Sequence, residues 1–396
     1  MRTIRSELAL FAAVRTISNT AYRMVYPYLP VFARALGIDL GTMSLALSAR
    51  AASGALGPLL APLTDRRGRA FGLSLGLGLF TAGAFLAFAG PGFMLFALAL
   101  VSMTIGKYVL DPAVLAHLSD VVPYRTRGRA LALTELSWSL AFVLGVPAAG
   151  LLVAKLGWRS PFAALGLLGL AGFVTVRAAF GHGRGPGGME EAGGPASDPG
   201  RGYRESYRAV VRSPAALSGI AVIMAVSMSN ELVNLVFGVW LEDSFGLKLA
   251  ALGATAAVIG VAEFGGESLV VGTVDRLGKI RALMIGLAGN TLAALVLPLA
   301  GRTTATALFG LALFYLTFEY TVVSMLPVMS EILPRARATL LAFYAASFSL
   351  GRAIGSLISP HLYGLGFAAV TLVAAGLDAL AFLLLLRLRR LTAARD

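Results

Sequence analysis

The chain contains twelve apolar runs, each long enough to cross a lipid bilayer as a single helix. A hydrocarbon core of about 30 Å needs roughly 20 predominantly apolar residues in an α-helix. Runs of this kind lie at residues 7–33, 41–64, 70–90, 93–119, 130–154 and 161–180, and again at 214–241, 249–272, 281–300, 304–328, 338–360 and 366–387. Because a helix satisfies its own backbone hydrogen bonds in lipid, the sequence predicts an all-α membrane protein with twelve transmembrane helices.

The composition argues against most soluble functions. Charged residues make up 13% of the chain, against about 25% in a typical soluble domain, and 57% of the residues are hydrophobic. The chain has no cysteine, and its three histidines lie far apart in the sequence. We therefore expect no metal site and no cofactor. An intramembrane enzyme would also need a nucleophile and a base at membrane depth. Only carboxylates are available for that, so we expect no enzyme and keep this class as a remote alternative.

A segment rich in glycine, proline and charge separates the first six runs from the last six. Such a segment buries no core and spans no lipid, so it is predicted to be a linker, with a short surface helix around residues 203–211. The predicted organisation is a six-helix bundle at 1–180, a cytoplasmic linker at 181–213 and a second six-helix bundle at 214–396.

The formal net charge of +13 reports membrane topology. A nucleic-acid-binding domain gathers its basic residues on one soluble face. Here most lysines and arginines fall in the N-terminal tail, the even-numbered loops, the linker and the C-terminal tail. This asymmetry predicts a multi-pass plasma-membrane protein with both termini in the cytoplasm and no nucleic-acid partner.

The two halves share a short charged motif in a fixed register. Asp65–Arg69 (DRRGR) follows the second run, and Asp275–Lys279 (DRLGK) follows the eighth run, 210 residues later. The same offset pairs Arg127 with Arg337, at the starts of runs five and eleven. A constant register across these positions indicates duplication of a six-helix unit, so the two bundles are expected to be pseudo-symmetric.

This arrangement resembles the major facilitator superfamily over the whole chain, and within it the drug-efflux-like members. The matching motif residues are Asp65, Arg66, Gly68 and Arg69, with a weaker copy at Asp275, Arg276, Gly278 and Lys279. The motif usually opens with a glycine four residues before the aspartate, where this chain has Ala61 and Val271. In run five, Leu144–Gly150 (LGVPAAG) is similar to a reduced form of the family's antiporter motif, and Pro147 can bend that helix.

The resemblance implies that the charged motif works as a conformational latch. A carboxylate at one end of a helix can accept hydrogen bonds from a neighbouring helix N-terminus, and arginines can bind carboxylates across the seam between the halves. The latch candidates are Asp65, Arg66, Gly68, Arg69, Arg127, Asp275, Arg276, Gly278, Lys279 and Arg337. The alternative reading is that these charges only fix topology.

Polar and charged residues recur inside several runs, where ionisable groups cost roughly 2.5–3.5 kcal/mol each on insertion scales. They must therefore face a cavity or a partner. The candidates for substrate binding or proton coupling are Asn19, Arg23, Tyr26, Lys107, Asp111, Asn230, Glu231, Asn234, Glu263, Glu267, Tyr315, Glu319 and Arg352. The resemblance implies that runs one, four, seven and ten line a central cavity, and Arg23, Lys107, Glu231 and Glu319 lie on those runs.

Individual pairings are less determined. Lys107 and Asp111 are four residues apart and are expected to face each other, either in the cavity or as a structural pair. Glu263 is expected to pair with Arg352, and Arg15 to extend its charge towards the headgroups. Arg50 has two open readings, as a cavity residue or as a partner of Asp111.

Three further residues receive mainly structural readings. Glu135 is expected to meet loop arginines, and Asp378 to have a structural role. Trp138 is interpreted as an ordinary packing residue.

The favoured function is secondary transport by alternating access, most simply proton-coupled export of a small amphipathic organic compound by a monomer in the lipid bilayer. Proton-coupled uptake or movement of an anionic metabolite or lipid is the alternative, because arginines and a lysine could receive an anionic group. A non-transporting sensor with the same fold is a further alternative. No Walker motif is present in the sequence, which argues against ATP as the driving force.

Overall fold

The computed structural model describes residues 4–57, 68–122, 134–180 and 199–393, and within these ranges the regular structure is entirely helical. Asp65, Arg66 and Arg127 lie outside the described residues. In chain order the helices are α1 Ile4–Arg23, α2 Leu29–Leu36, α3 Leu40–Ser53, α4 Arg69–Ala89, α5 Gly92–Val121, α6 Thr134–Leu156, α7 Ser160–Phe180, α8 Pro199–Arg212, α9 Pro214–Phe245, α10 Leu249–Leu277, α11 Lys279–Ala300, α12 Thr304–Ile332, α13 Arg337–Gly364 and α14 Phe367–Ala393.

The all-α membrane architecture predicted from the sequence is confirmed. Among the described residues, ten helices, α4–α7 and α9–α14, are long and apolar enough to cross a membrane. The count is eleven if α2 and α3, which meet at a bend of 114°, form one span. Helix α1 falls short because charged side chains lie near both of its ends and in its middle. The count of twelve spans is consistent with this and stays a prediction.

The first predicted run, 7–33, is two helices rather than one. Pro27 has no N–H and its ring clashes with the carbonyl four residues earlier, so the helix ends at Arg23. In the connecting turn the Tyr26 N–H bonds to the Arg23 carbonyl, at 3.3 Å, instead of the Tyr22 carbonyl. Arg50 of α3 fills the vacancy by donating from Nη1 to the Tyr22 oxygen at 2.9 Å.

Helix α6 contains a π-helical turn at Ala141–Gly145. Pro147 lies two residues after the end of this turn, and since it donates no N–H, the hydrogen-bond ladder shifts ahead of it. Gly145 at the end of this turn faces α1. A Cβ there would lie 1.9 Å from Thr20 Oγ1, so only glycine allows the two helices to approach this closely.

Helices α1–α7 pack mainly with one another, as do α9–α14. The two groups meet where α3 packs on α13, α6 on α10 and α2 on α9. We call the end of the molecule where α8 packs against the starts of α9 and α13 the linker end. The opposite end, where α2 meets α3 and α9 meets α10, is called the distal end.

The two groups of helices are in contact at the distal end. Gly238 of α9 packs directly on the turn after α1, where a Cβ would lie 2.8 Å from the Pro27 carbonyl oxygen. Gly253 of α10 packs on Tyr28, where a Cβ would lie 2.8 Å from the Tyr28 hydroxyl oxygen. Beyond them Arg34 and Glu242 form an ion pair at 2.7 Å. These contacts close the space between the halves at this end.

Candidate functional site

A cavity of about 810 Å³ lies between the two groups of helices. Its lining includes Tyr26 and Asn234 near the closed distal contacts, and it extends to Val271 and Leu326 near the linker end of α10 and α12. Most of its surface is apolar, and aromatic side chains from α6, α10, α12 and α13 form much of the wall, namely Trp138, Phe142, Phe264, Phe318, Tyr344 and Phe348. A pocket of this size and character suits a small organic molecule.

An ion pair between Arg23 and Glu263 joins the two halves across the cavity wall. Arg23 Nη2 lies 2.6 and 2.5 Å from the two Glu263 carboxylate oxygens, and each side chain is 4% exposed. The guanidinium also stacks over Phe142, 3.5 Å from the ring centroid, and over Trp138 at 4.2 Å. The expected pairing of Glu263 with Arg352 is wrong, because Arg23 reaches Glu263 where the halves converge.

Arg352 instead binds Glu231, which is fully buried. The Glu231 carboxylate accepts four side-chain hydrogen bonds, from Arg352 Nε at 2.9 Å, Ser356 Oγ at 2.8 Å, the Tyr26 hydroxyl at 3.0 Å and Asn234 Nδ2 at 3.3 Å. Tyr26 belongs to the first half, and the other three belong to the second. The Tyr315 hydroxyl extends the network by donating to Asn234 Oδ1 at 2.8 Å. This carboxylate therefore has its negative charge compensated and its acceptors occupied.

Four charged groups form a second, balanced cluster between α1, α5 and α6. Lys107 contacts Asp111 as their spacing suggested. Arg15 Nε lies 3.3 Å from Asp111 Oδ1, an ion pair without hydrogen-bond geometry, and Arg15 Nη1 donates to Glu135 at 2.7 Å. The expectation that Arg15 extends to the headgroups is wrong. Glu135 binds Arg15, and its expected contact with loop arginines stays a prediction, because the preceding loop lies outside the described residues. Two cations and two anions neutralise each other here.

Glu267 and Glu319 differ from these groups. Both line the cavity and both are partly exposed. Within the described ranges neither forms an ion pair or a side-chain hydrogen bond. They lie on α10 and α12, which approach closely at Gly266, where a Cβ would be 3.2 Å from the Glu319 Cβ. Since Glu263 is one turn from Glu267, three carboxyl groups line one side of the cavity, and in the described part of the chain only Glu263 of the three has a cation partner.

Of the three asparagines predicted for the site, Asn230 and Asn234 line the cavity and Asn19 does not. The Asn230 Nδ2 has no hydrogen-bond partner among the described residues. Asn19 is buried between α1 and α6, where its Nδ2 donates to Ser137 Oγ at 3.1 Å, and it is not part of the cavity lining. Asn19 therefore packs two helices together in this conformation.

Two residues of the latch set contact their own half. Lys279 pairs with Glu331, and Arg337 Nε donates to the Ser330 carbonyl at 2.8 Å. Gly68 and Gly278 have matching backbone conformations, with φ of 87° and 83°, each just before a helix. A left-handed φ favours glycine at both positions. Asp275 and Arg276 lie at the linker end of α10.

Three aromatic residues outside the predicted site set also line the cavity, namely Tyr22, Tyr108 and Trp138. Trp138 stacks on Arg23, so its role exceeds the packing expected from the sequence. Tyr22 adjoins the polar stripe of α1, whereas spacing does not distinguish Tyr108 and Trp138, because aromatic side chains occur throughout the apolar runs.

Asp378 lies away from the cavity lining. It accepts from Ser229 Oγ at 2.9 Å and from Asn290 Nδ2 at 2.7 Å, and it is fully buried. These contacts tie α9, α11 and α14 together, which fits the structural role expected for it.

The profile of the Major Facilitator Superfamily matches residues 11–330. The chain belongs to this superfamily. It is 28% identical over 374 residues to the uncharacterised MFS-type transporter YwfA of Bacillus subtilis, covering 91% of this chain and 86% of that one. It is also 28% identical over 152 residues to the quinolone resistance protein NorA of Staphylococcus aureus, covering 38% and 39% of the two chains.

Comparison with solved structures agrees with this family assignment at the level of the fold. The structure of a D-xylose–proton symporter superposes with a TM-score of 0.77 at 16% identity, covering 97% of each chain. At this identity the likeness concerns the fold alone. The protein is thus a multi-pass membrane transporter of the superfamily.

Proposed function

We propose that this transporter exports a small amphipathic organic cation in exchange for protons, by alternating access. The observation that carries the proposal is the pair of carboxyl groups, Glu267 and Glu319, without a cation partner among the described residues, in a cavity walled by aromatic side chains. Aromatic faces and carboxylates together are suited to a lipophilic cation.

The charge arrangement argues against the alternative of an anionic substrate. Among the described residues, three basic side chains line the cavity and each binds a carboxylate: Arg23 binds Glu263, Lys107 binds Asp111 and Arg352 binds Glu231. An anion would have to displace one of these partners and leave a buried carboxylate uncompensated, which is costly. A cation meets acceptors at Glu267 and Glu319 that no described basic side chain occupies.

Proton exchange follows from competition for the same two groups. A carboxyl group in an apolar cavity holds a proton when no cation is near and releases it when a cationic substrate binds. Protons that enter from the opposite side would then drive the substrate out. The similarity to a quinolone resistance protein adds support for export.

Membrane orientation is part of the proposal. The concentration of basic residues at the tails, linker and even-numbered loops supports a cytoplasmic linker end in the plasma membrane. On that orientation the cavity extends towards the cytoplasm, while Arg34, Tyr28 and Gly238 keep the outer end closed. The DRxGR/K motifs would then form a latch only after the halves rock to the outward-facing state. We propose that the monomer is the transporting unit.

Flux in proteoliposomes tests the proposal with a matched pair of probes. Tetraphenylphosphonium and tetraphenylborate have similar size and opposite charge. We expect uptake of tetraphenylphosphonium into inside-out-oriented proteoliposomes with an acidic interior, and little flux without the gradient. We expect no transport of tetraphenylborate above protein-free vesicles.

Neutral variants identify the coupling groups. Glu267→Gln and Glu319→Gln should each lose most gradient-driven flux, whereas Glu331→Gln, which alters a surface pair with Lys279, should keep it. Flux that ignores the pH gradient and survives both cavity substitutions would overturn proton coupling. Preferential transport of the borate would overturn the cationic substrate class.

A further inference from the structure

Arg50 is a buried cation without a counter-ion. Its side chain is 1% exposed in the middle of the protein, and no carboxylate in the described ranges forms an ion pair with it. Arg50 does not line the large cavity between the halves, and it does not pair with Asp111, so neither role expected from the sequence is seen. The guanidinium lies over Tyr22, 4.2 Å from the ring centroid, and over Tyr26 at 5.0 Å.

These contacts satisfy only part of the group. Nη1 donates to the Tyr22 carbonyl at the end of α1, where the helix dipole also favours a cation. Arg50 Nε and Nη2 are buried and have no hydrogen-bond partner among the residues that the structure describes. Buried N–H groups of a charged side chain are rarely left without an acceptor in a folded protein. Arg50 therefore has an unmet demand for an anionic or neutral acceptor.

A separate void next to Arg50 has the size and lining to meet this demand. It offers about 10 Å³, close to the minimum that one water-sized guest needs. Besides Arg50, its polar lining consists of Ser18, Tyr22, Thr104 and Lys107. Two cations and the hydroxyl-bearing residues Ser18, Tyr22 and Thr104 thus surround a space with room for about one small guest.

We infer that this void binds one small monatomic anion of the chloride class. Arg50 supplies two free donor atoms and an uncompensated charge, and Lys107 adds a second cation at the wall. Asp111, the partner of Lys107, is also bound to Arg15 and is not among the residues that line the void. The anion would neutralise Arg50 and so stabilise its bond to the broken end of α1. This site does not depend on the proposed export function.

The test is the halide dependence of thermal unfolding of the purified full chain in detergent. At constant ionic strength, replacing gluconate by chloride should raise the unfolding midpoint by about 2–5 °C, with saturation as chloride increases. Bromide should act less strongly, and sulfate should have no effect. Arg34→Gln, which alters an exposed arginine at the distal end, should retain the chloride response.

Two variants locate the site. Arg50→Met should abolish the chloride response, and Thr104→Val, which removes one lining hydroxyl and keeps its shape, should require about tenfold more chloride for half of it. If Arg50→Met does not fold, Thr104→Val and anomalous diffraction from a bromide-soaked crystal still decide. Equal midpoints in chloride and gluconate, a response that Thr104→Val leaves unchanged, or bromide found elsewhere would overturn the inference and indicate a buried water.

Discussion

Removing the carboxylate of Glu231 should destabilise the protein more than removing the whole ion pair. Glu231 is fully buried and accepts from Arg352 Nε, Ser356 Oγ and the Tyr26 hydroxyl at 2.8 to 3.0 Å. Glu231→Met leaves the Arg352 guanidinium buried without a counter-ion. Breaking a buried pair in this way costs about 3–5 kcal/mol, whereas replacing both partners by apolar residues is often close to neutral.

The full double-mutant cycle makes this quantitative. We expect Glu231→Met and Arg352→Met each to lower the free energy of unfolding by about 3–5 kcal/mol, and the double variant by about 1 kcal/mol. Denaturant titration of purified protein in detergent micelles measures all three. The exposed pair of Arg34 with Glu242 is the matched control, since its disruption should cost less than about 1 kcal/mol. A double variant as unstable as the sum of the single variants would refute the reasoning.

Three further expectations concern other contacts. Arg23→Gln or Glu263→Gln removes the ion pair between the halves and should increase the distance between the distal loops of the two halves. Because the chain has no cysteine, spin labels can be attached at introduced cysteines and this distance measured by pulsed electron paramagnetic resonance. Unchanged distances would contradict a role of the ion pair in closure. Gly351→Ala places a Cβ 2.4 Å from the Met224 carbonyl oxygen and should cost about 1–3 kcal/mol in thermal unfolding, while Gly376→Ala, with no neighbouring atom within 4 Å, should not destabilise. The hydroxyl and backbone N–H of Thr42 donate to Asp39 and lower the pKa of this exposed carboxyl. The stability that the Asp39 carboxylate adds is therefore present above its unfolded pKa and is lost as the pH falls through its lower folded pKa. Asp39→Asn should flatten this loss of stability below about pH 4, and an unaltered pH profile would exclude a contribution from Asp39.

Helical spacing predicted local partners well and distant partners poorly. Lys107 and Asp111 are one turn apart on the same helix, so their contact follows from geometry that the sequence contains. Glu263 and Arg23 are 240 residues apart, and their contact depends on how the two halves approach each other. No periodicity in the chain encodes that approach, which is why Arg352 was chosen wrongly as the partner of Glu263.

Proline positions indicate where helices are interrupted, and the length of an apolar run does not. Pro27 within run 7–33 was sufficient to predict the end of α1 near Arg23, but the run continued to look long enough for one helix. Pro147 was correctly expected to disturb its helix, although a π turn rather than a simple bend absorbs the missing donor. Hydropathy counts apolar residues and is insensitive to the hydrogen-bond ladder, so such interruptions must be read from proline positions.

The interruption between α1 and α2 also determines whether movement of one helix is transmitted to the other. Helix α1 packs on α5, α6 and α7, whereas α2 packs on α3 and on α9 of the other half. If α1 and α2 were one unbroken helix, it would move as a rigid body, so a tilt of the α2 part would also move the α1 part. The turn at residues 24–28 is a hinge between the two helices. A few backbone rotations there can separate α2 from α9 while α1 keeps its contacts with α5, α6 and α7. The distal end can therefore open without repacking the interior of the first half.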